Sequence, residues 1–449
     1  MLVKISASNF RSINEKESFS MEAGKTRNFS ERTTKEAGTK LLKFKAIYGP
    51  NASGKSTLIR IFDFMQSAVV TGIPSRSSMS YCRLNEKNAR KPSQFEIELV
   101  LDGKYYIYGF EAILSESRFR REWLYERKGT NPRLIFCRDI ENETFEIQDY
   151  HKAALNERLR IYAEDIKADK TVLFLRAMNQ NRASLYEDNE KILVFKNLYL
   201  WFRNHLSVNY PDAPLSRYMY FFDSQGSSAA EKILKMMDTG ISKVSICDVP
   251  AEKVKAEIPK PIIEDIVKSL AEQKAQNPDN VSVNSSIVLR NLEGHSMYMI
   301  ELSGEKIACK TIKFNHEHTD TLFTLEDESD GTIRLLDLIE ILLSKKEDTV
   351  YVIDEVNRCL HPMITKQFVK YFLKLAEKRN IQLIATTHET DLMDLELLRQ
   401  DEIGFVERRS TDGSTHIFGL EDYGARFDKK IRTAYMKGQY DAVPSLESL

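Results

Sequence analysis

The chain has 449 residues, 42% of them hydrophobic, so it is long enough for two or three packed domains. Its 65 basic and 66 acidic residues leave a formal net charge of −1, which excludes a bulk positive field that would attract nucleic acid or an anionic membrane. The five cysteines include no CxxC pair, and no stretch approaches about 18 uncharged apolar residues, so neither a disulfide framework nor a membrane span is expected. These features predict a cytoplasmic protein.

The chain begins with a strand-like stretch, MLVKISASNFRSI, in which apolar and polar residues alternate. Residues 26–40 are polar and charged, and we expect them to form an exposed loop. Residues 44–48 have the short apolar pattern of a buried strand, and apolar residues recur at helical spacing over residues 58–65. The segment between them, GPNASGKST, therefore lies between a strand and a helix, which is the context of a phosphate-binding loop.

The loop GPNASGKST has the residue types needed to bind the phosphates of ATP. Gly49 and Gly54 allow successive backbone N–H groups to turn inward at the positive end of the helix dipole. Lys55 would reach the β- and γ-phosphates, and the Ser56 hydroxyl would bind Mg²⁺. The other loop residues predicted to line the nucleotide are Asn51, Ser53 and Thr57. The alternative, a surface loop rich in Gly and Ser, is disfavoured by the flanking strand and helix.

The middle of the chain changes character twice. Residues 95–124 alternate around Asp102-Gly103, a pair typical of a hairpin turn, and so predict an antiparallel sheet. Residues from 145 onward contain long helix-compatible stretches with many charges and no sustained heptad pattern, which predicts a helical segment without a long coiled-coil arm. Residues 277–286, NPDNVSVNSS, are typical of a linker that returns the chain to strands.

A polar turn, ESDGT, precedes an amphipathic helix that begins near Ile333. A Gly-containing turn that opens a helix can bind an anion. The alternative is a helix cap with Ser329 or Asp330 as the N-cap residue, which the local sequence allows equally well. The position of the turn shortly before the next motif favours anion binding.

The stretch TVYVIDEV, residues 349–356, is an apolar, β-branched strand that ends in two adjacent acids, the Walker B pattern. At the carboxyl end of a buried parallel strand, Asp354 can hold Mg²⁺ while Glu355 orients and polarises the attacking water. The alternative is a buried strand that merely ends in an acidic, solvent-facing turn. The phosphate-binding loop earlier in the chain disfavours that alternative.

Another apolar strand, residues 381–387, runs directly into His388. Its imidazole would emerge at the same edge of the sheet and hydrogen-bond the γ-phosphate or the attacking water. A single histidine after a strand is more often a capping or packing residue. The order of loop, Walker B strand and histidine favours the functional interpretation.

Taken in order, these motifs resemble those of ABC-type ATPases of the RecF, SMC and OLD kind: NFRSI, GPNASGKST, ESDGT, VIDEV followed by CLHP, and TTHE. More narrowly, the chain is similar to RloA-like, AAA-family ATP-binding proteins of bacterial phage-defence and abortive-infection loci. The C-terminal stretches DEIGFVE (401–407), RFDK (426–429), AYMKGQY (434–440) and AVP (442–444) support the narrower resemblance. The resemblance covers roughly residues 1–125 and 290–449.

This resemblance implies an α/β fold, an ABC-type P-loop ATPase head in which a mixed sheet with helices is joined by an antiparallel β subdomain. Together with the patterns above, it predicts that residues 1–144 and 287–449 form the two parts of the head. Residues 145–286 would then be a mainly helical insert that splits it.

The resemblance further implies that ESDGT completes the ATP site of the opposite subunit, with Ser329 and Gly331 contacting the γ-phosphate there. Since the chain has one loop and one such turn, two composite sites require a head-to-tail homodimer or a higher homo-oligomer. The sequence departs from the family pattern here, because ESDGT replaces LSGGQ. The glutamine loop of the family, which binds Mg²⁺, is assigned to Gln94 in PSQFEIEL; an exposed glutamine at a strand edge is the alternative.

We therefore predict an ABC-type ATPase that hydrolyses ATP to ADP and phosphate and regulates a separate effector, nuclease or TOPRIM-like, in anti-phage defence. The residues after His388 lack a clustered Glu and DxD pattern, so we expect no nuclease domain in this chain. The alternative is a RecF/SMC-like DNA repair or recombination ATPase that clamps DNA, for which Arg118, Arg120 and Arg121 offer a local basic patch. A nucleotide-gated scaffold with little hydrolysis is a third alternative, disfavoured by the two adjacent acids.

Overall fold

The structure is a computed structural model that describes residues 1–26, 28–129, 131–150, 152–180, 183–187, 189–213, 218–276, 286–290, 296–303, 306–423 and 431–438. The predicted linker, apart from its last residue, lies outside these residues, as do RFDK at 426–429 and AVP at 442–444. Two compact units make up the chain. Unit 1 contains Met1–Pro211, Lys346–Asn357 and Val369–Leu449, and unit 2 contains Asp212–Lys345 and Arg358–Phe368. The division at residues 144 and 286 stays a prediction.

Strands and helices are mixed along the described part of the chain. The strands are β1 Leu2–Ser8, β2 Glu17–Ser20, β3 Thr33–Glu36, β4 Thr39–Leu42, β5 Phe44–Tyr48, β6 Ser93–Leu101, β7 Lys104–Ile113, β8 Arg118–Lys128, β9 Asn131–Asp139, β10 Thr144–Ile147, β11 Leu206–Asn209, β12 Ile241–Val249, β13 Ser286–Arg290, β14 Met297–Ser303, β15 Lys306–His316, β16 Leu322–Phe323, β17 Thr349–Ile353, β18 Ile381–Thr386, β19 Ile403–Arg408 and β20 Thr415–Gly419. The α-helices are α1 Lys55–Val70, α2 Ala153–Ile166, α3 Phe174–Ala177, α4 Ala183–Glu187, α5 Leu193–Leu200, α6 Ser224–Met236, α7 Ala251–Glu257, α8 Lys260–Gln276, α9 Asp330–Leu343, α10 Pro362–Ala376 and α11 Ile431–Met436.

A mainly parallel sheet lies at the centre of unit 1, in the order β11-β17-β18-β5-β19-β20. The strands from β11 to β19 are parallel, and β20 pairs antiparallel with β19. Every residue of β5, β17 and β18 is buried, which explains why their sequences are nearly continuous apolar runs. Because these strands are parallel, the segments that follow them emerge at one edge of the sheet.

An antiparallel sheet completes unit 1, in the order β10-β9-β8-β7-β6-β1-β2. The predicted hairpin turn is confirmed: Leu101 pairs with Lys104, and Asp102 and Gly103 have φ values of 50° and 70°. Two successive residues with positive φ give the turn that matches the twist of paired strands. The predicted α/β class, with a P-loop head and an antiparallel β subdomain, is therefore confirmed.

A buried ion pair attaches the segment before α3 to this antiparallel sheet. Glu122 and Arg138 lie opposite each other on β8 and β9, and both side chains are fully buried. Glu122 accepts hydrogen bonds from the Tyr108 hydroxyl and the Leu175 N–H, each at 3.0 Å, and Arg138 donates to the Val172 carbonyl at 2.8 Å. Because each charge has several partners, removal of one would leave the other charge buried and unpaired, at a cost of roughly 3–5 kcal/mol.

Residues 145–286 contain α2 to α8, but they also contribute strands to three sheets, the first being most of β10 at the edge of the antiparallel sheet. Strand β11 forms the edge of the parallel sheet beside β17. Strand β12 pairs with β15 in the sheet of unit 2, whose order is β12-β15-β14-β13. Strand β11 is not predicted by the sequence. Its residues, Leu206–Asn209, follow directly on a helical run that ends in a π-helix, Trp201–His205, and no Gly or Pro separates the two.

The polar stretch at residues 26–40 is only partly the exposed loop that its composition predicts, because it contains the hairpin of β3 and β4. The hairpin sequence becomes apolar only at Leu41 and Leu42, which are buried at the end of β4, so the stretch before them shows no strand alternation. The buried Arg399 side chain holds the chain before the hairpin, donating to the carbonyls of Asn28 at 2.7 Å and Thr26 at 3.2 Å. Asp401 neutralises Arg399 at 2.7 Å.

Glu402 lies beside this arginine and is fully buried. Its Oε2 accepts the Arg399 N–H at 2.8 Å, whereas its Oε1 has no hydrogen-bond partner among the described residues. Burial raises the pKa of Glu402 to about 7. The folded protein therefore keeps this proton at pH values where the unfolded chain has lost it, so the carboxyl lowers stability as the pH rises from about 4.5 to 7.

We expect Glu402→Gln to weaken the pH dependence of stability. The amide mimics the protonated carboxyl, so the loss of unfolding free energy between about pH 5 and pH 8 should be smaller than in the wild type, by about 2 kcal/mol. Urea unfolding at both pH values measures this difference. An unchanged slope with pH in the variant would show that Glu402 ionises normally.

Candidate nucleotide-binding site

The phosphate-binding loop lies between β5 and α1, as the sequence predicts. Gly54 is the residue immediately before the helix, which begins at Lys55. The first N–H groups of any α-helix lack acceptors within the helix, so they are available to an anion. The ends of β17 and β18, which carry Asp354 and His388, lie at the same edge of the sheet as this loop.

Both loop glycines are required by close neighbours. Gly54 has φ 112°, and a Cβ there would lie 2.1 Å from the Thr415 Oγ1. A Cβ on Gly49 would lie 2.1 Å from the Val406 carbonyl oxygen. These distances are far inside van der Waals contact, so neither position can accept a side chain without displacement of the backbone or of β20.

A chain of hydroxyl groups supports the loop from behind. The Thr415 Oγ1 lies 2.7 Å from the Ser12 Oγ and 2.9 Å from the Ser53 carbonyl oxygen. The Ser12 Oγ in turn lies 2.9 Å from the Thr57 Oγ1. The loop motif predicts Thr57 as a nucleotide contact, whereas its hydroxyl lies in this supporting network. Ser12 and Thr415 belong to no motif around the loop, because they lie 45 residues before and 358 residues after Thr57 in the chain.

Lys55 is 7% exposed and donates hydrogen bonds to the carbonyl oxygens of Gly49 at 2.8 Å and Pro50 at 3.0 Å. Burial lowers the pKa of Lys55, and the nearby carboxylates of Asp354 and Glu355 oppose that shift. The ammonium group is thus hydrogen-bonded by neutral carbonyls and attracted by two acids. A phosphate would be a stronger hydrogen-bond partner for it than these carbonyls are.

The remaining loop side chains differ in exposure. Asn51 and Ser56 are exposed, so both can reach a ligand at the loop. Ser53 is 1% exposed, and its Oγ has no hydrogen-bond partner among the described residues. A buried hydroxyl normally has a hydrogen-bond partner, and a phosphate oxygen bound by the loop would be a suitable acceptor for this one.

The two acids after β17 differ in environment. Asp354 is 4% exposed, and its Oδ1 accepts a hydrogen bond from the Thr386 hydroxyl at 2.6 Å. Glu355 is half-buried and has φ 52°, a conformation uncommon for residues other than Gly. Thr386, in the motif TTHE, is a site residue that sequence analysis missed, although its place just before His388 is a usable signal.

His388 emerges from the turn after β18. Its backbone N–H donates to the Asn357 Oδ1 at 3.3 Å, and the Thr387 hydroxyl donates to the same oxygen at 3.0 Å. Burial and the neighbouring Lys55 ammonium lower the pKa of His388, against the opposing charge of Glu355. The neutral imidazole is therefore favoured near pH 7, with one nitrogen available as an acceptor and the other as a donor.

In unit 2, the turn ESDGT opens α9 as a capped helix. The Ser329 Oγ accepts the Thr332 N–H at 3.1 Å, so the helix-cap geometry considered for this turn is present. A Cβ on Gly331 would lie 2.7 Å from the Cys359 carbonyl oxygen, which explains the glycine. Ser329 is exposed. The contact of this turn with a nucleotide stays a prediction.

Gln94 lies on β6 of the antiparallel sheet, opposite Ser8 on β1 and Glu111 on β7. Its side chain is half-buried, and its role as a Mg²⁺ ligand stays a prediction.

The basic patch on β8 is largely neutralised by neighbouring acids. Arg118 pairs with Glu116 at 2.5 Å, and Arg120 pairs with Glu141 at 3.0 Å. Arg121 lies within 4.0 Å of both Glu111 and Asp139. These pairs leave little free positive charge for a nucleic-acid backbone.

The residues present fit ATP and Mg²⁺. A glycine-lined loop at a helix N-terminus suits phosphates, and the hydroxyl and carboxylate oxygens of Ser56 and Asp354 are the hard ligands that Mg²⁺ prefers. Over the ranges described here, His, Cys, Asp and Glu do not gather in threes as they would to hold a metal by themselves. Mg²⁺ is usually bound by one or two protein groups together with substrate phosphates.

Within the described ranges, every helix is too short or too polar to reach across a bilayer.

Comparison with known proteins yields one family. Residues 44–394 match the family model described as "AAA domain, putative AbiEii toxin, Type IV TA system". No curated protein matches the chain.

Several solved structures are similar to it. An SMC head bound to the C-terminal winged-helix domain of ScpA is 16% identical with a TM-score of 0.44, over 94% of this chain and 99% of that one. The SMC head domain from Thermotoga maritima is 12% identical with a TM-score of 0.37, over 93% and 98%. An Smc head with an extended coiled coil, bound to the C-terminal domain of ScpA derived from Pyrococcus furiosus, is 16% identical with a TM-score of 0.35, over 94% and 97%.

The family match spans most of the chain, from β5 through the P-loop and both acids of β17 to the turn that carries His388. The resemblance to P-loop ATPases inferred from the motifs is therefore confirmed, and the chain belongs to this AAA-domain ATPase family.

Proposed function

We propose that this protein hydrolyses ATP at composite sites formed by two copies of the chain and thereby controls a separate effector. The observation that carries the proposal is the position of Lys55. Its ammonium is 7% exposed, is held by two loop carbonyls and lies within the electrostatic influence of Asp354, Glu355 and His388. A phosphate-binding cation, two acids and a histidine at one sheet edge form the set of groups that phosphoryl transfer to water requires.

In the proposed mechanism, each group has a separate task. The loop N–H groups and Lys55 bind the β- and γ-phosphates. Mg²⁺, held by Ser56 and Asp354 with a further contribution proposed for Gln94, would neutralise charge on the phosphates. Glu355 orients and polarises the attacking water, and neutral His388 hydrogen-bonds the γ-phosphate or that water.

The remaining contacts would come from a second copy. We propose that Ser329 and Gly331 of one chain meet the γ-phosphate bound by the loop of the other. Ser329 is exposed, and the first turn of α9 has N–H groups other than that of Thr332, which Ser329 caps; these support the proposal, because the N-terminus of a helix is suited to an anion. The symmetry of such an arrangement gives two equivalent sites in a closed dimer.

The proposed biological role is defence against phage through abortive infection. Its support is the family description, which refers to a toxin of a type IV toxin–antitoxin system. The C-terminal stretches from residue 401 onward, which resemble those of RloA-like proteins, add to it. We propose that ATP-driven dimer closure is the signal to the effector. The alternative role, a clamp on DNA, receives little support from the arginines of β8, because they are paired with acids.

Lys55→Ala should abolish ATP binding. The substitution removes the cation for the β- and γ-phosphates, and the loss of one partner of a buried charge pair weakens binding by about 30-fold or more. Isothermal calorimetry measures this, with Lys104→Ala on the exposed end of β7 as the matched control. Equal affinities for the wild type and Lys55→Ala would refute the assignment of the loop.

Glu355→Gln should bind ATP normally and hydrolyse it at least about 100-fold more slowly, because the water loses its base. The variant should therefore accumulate as an ATP-bound dimer, which light scattering after gel filtration detects. Adding Ser329→Arg to the same chain should restore the monomer mass, since the long cation blocks the approach of the second copy. A double variant that still dimerises with ATP would argue against the composite site.

In cells, the phage-defence role predicts that the native locus lowers the plaque count of sensitive phages and that Lys55→Ala in this gene restores it. Lys104→Ala should protect as the wild type does. Full protection by a locus carrying Lys55→Ala would separate ATP binding from the role proposed here.

A further inference from the structure

Thr386, the last residue of β18, is bonded to the three consecutive residues that follow β17. Its hydroxyl donates to the Asp354 Oδ1 at 2.6 Å and accepts the Glu355 N–H at 2.8 Å. Its carbonyl oxygen accepts the Val356 N–H at 3.0 Å. Thr386 itself is fully buried, and Asp354 is 4% exposed, so water does not compete strongly for these bonds.

The hydroxyl of Thr386 fixes the orientation of the Asp354 carboxylate. A hydrogen bond of 2.6 Å from a hydroxyl to a carboxylate oxygen is short, and it occupies Oδ1. Among the described residues, Oδ2 has no hydrogen bond. The carboxylate is thus held by one oxygen and presents the other, an arrangement typical of a metal ligand oriented by an outer partner.

The same hydroxyl also holds the backbone of Glu355. With φ 52°, this residue is in the left-handed region, which costs a residue other than Gly about 1 kcal/mol or more. The N–H of Glu355 has the Thr386 Oγ1 as its acceptor, so the bond helps to keep the turn in this conformation. One hydroxyl therefore acts on both acids, using its proton on Asp354 and a lone pair on Glu355.

We propose that Thr386 is a positioning residue for divalent cation binding: its hydroxyl orients the Asp354 carboxylate toward Mg²⁺ and fixes the start of the turn that carries Glu355. This inference rests on the proposed function, because Asp354 is the proposed Mg²⁺ ligand. It assigns to Thr386 no contact with ATP, with water or with the metal itself.

The test compares Thr386→Val with Thr386→Ser in the full chain. Valine keeps the shape of threonine but leaves Oδ1 and the Glu355 N–H unpaired, whereas serine keeps the hydroxyl. The affinity for a fluorescent ATP analogue is measured in EDTA and during a titration with MgCl₂. We expect Thr386→Val to bind the analogue in EDTA as the wild type does, but to need about 10- to 100-fold more Mg²⁺ for the half-maximal effect. Thr386→Ser should stay close to the wild type.

Thr349→Val is the matched control. Thr349 is 2% exposed at the other end of β17, where its hydroxyl donates to the Glu347 carbonyl oxygen at 3.1 Å. This variant loses a buried hydroxyl from the neighbouring strand without touching the bonds to Asp354 or Glu355, so its Mg²⁺ midpoint should not move. A general weakening of the sheet would shift Thr349→Val and Thr386→Val together and would overturn the proposal.

The outcomes separate this inference from the proposed function. If the wild type binds no analogue under any condition, the proposed function fails. If the wild type binds it and the Mg²⁺ midpoint of Thr386→Val equals that of the wild type, the positioning role fails while ATP binding stands. Should Thr386→Val not fold, as judged by circular dichroism, Thr386→Cys replaces it, because a thiol of similar size is only a weak donor. An unshifted midpoint in that variant overturns the proposal equally.

Discussion

The candidate site depends on the parallel alignment of β5, β18 and β17, which brings the segments after three buried strands to one edge of the sheet. Those segments are short and polar. Their backbone and side-chain polar groups no longer pair within the sheet, so they need other hydrogen-bond partners. The structure does this by bonding one segment to the next. Asp354, Glu355 and Val356 are bonded to Thr386, and Asn357 is bonded to Thr387 and His388. The Walker B end and the histidine turn therefore form one connected structure.

The phosphate-binding loop is supported differently, by close approach rather than by side-chain pairing. Gly54 packs against Thr415 on β20, and Gly49 packs against the carbonyl of Val406 on β19. Behind the loop, the hydroxyls of Ser12 and Thr415 are bonded to each other in a space too small for larger side chains. The loop can be compact and still expose N–H groups, because its contacts on the buried side are made by small residues.

Much of the site could be predicted because its residues are local in sequence. The loop, the acids at Asp354 and Glu355, and the position of His388 each depend on a strand followed directly by a short motif. Periodicity and motif spacing report such features. The hairpin at Asp102-Gly103 was predictable for the same reason, since its turn chemistry is contained in two residues.

The groups that hold the site were harder to predict because they are distant in sequence. Ser12 and Thr415 flank the loop in space but not in the chain, and their types are common in any loop. Strand β11 carries no strand signal of its own, being four residues long and continuous with a helix. Arg399 was missed for a related reason, because a buried arginine is recognised by the carbonyls that surround it and not by its neighbours in sequence.

The difference between the two adjacent acids follows from this supporting structure. Asp354 is buried and anchored through Oδ1, whereas the half-buried Glu355 side chain has no hydrogen bond to the described residues and is held only through its backbone. An anchored carboxylate suits a metal, which needs a fixed ligand, and an unanchored one suits a water molecule that must enter, react and leave. In the proposed mechanism, an exchange of the roles of Asp354 and Glu355 would require the Thr386 hydroxyl to bond the Glu355 carboxylate instead, so the neighbouring strand β18 sets the order of the two acids.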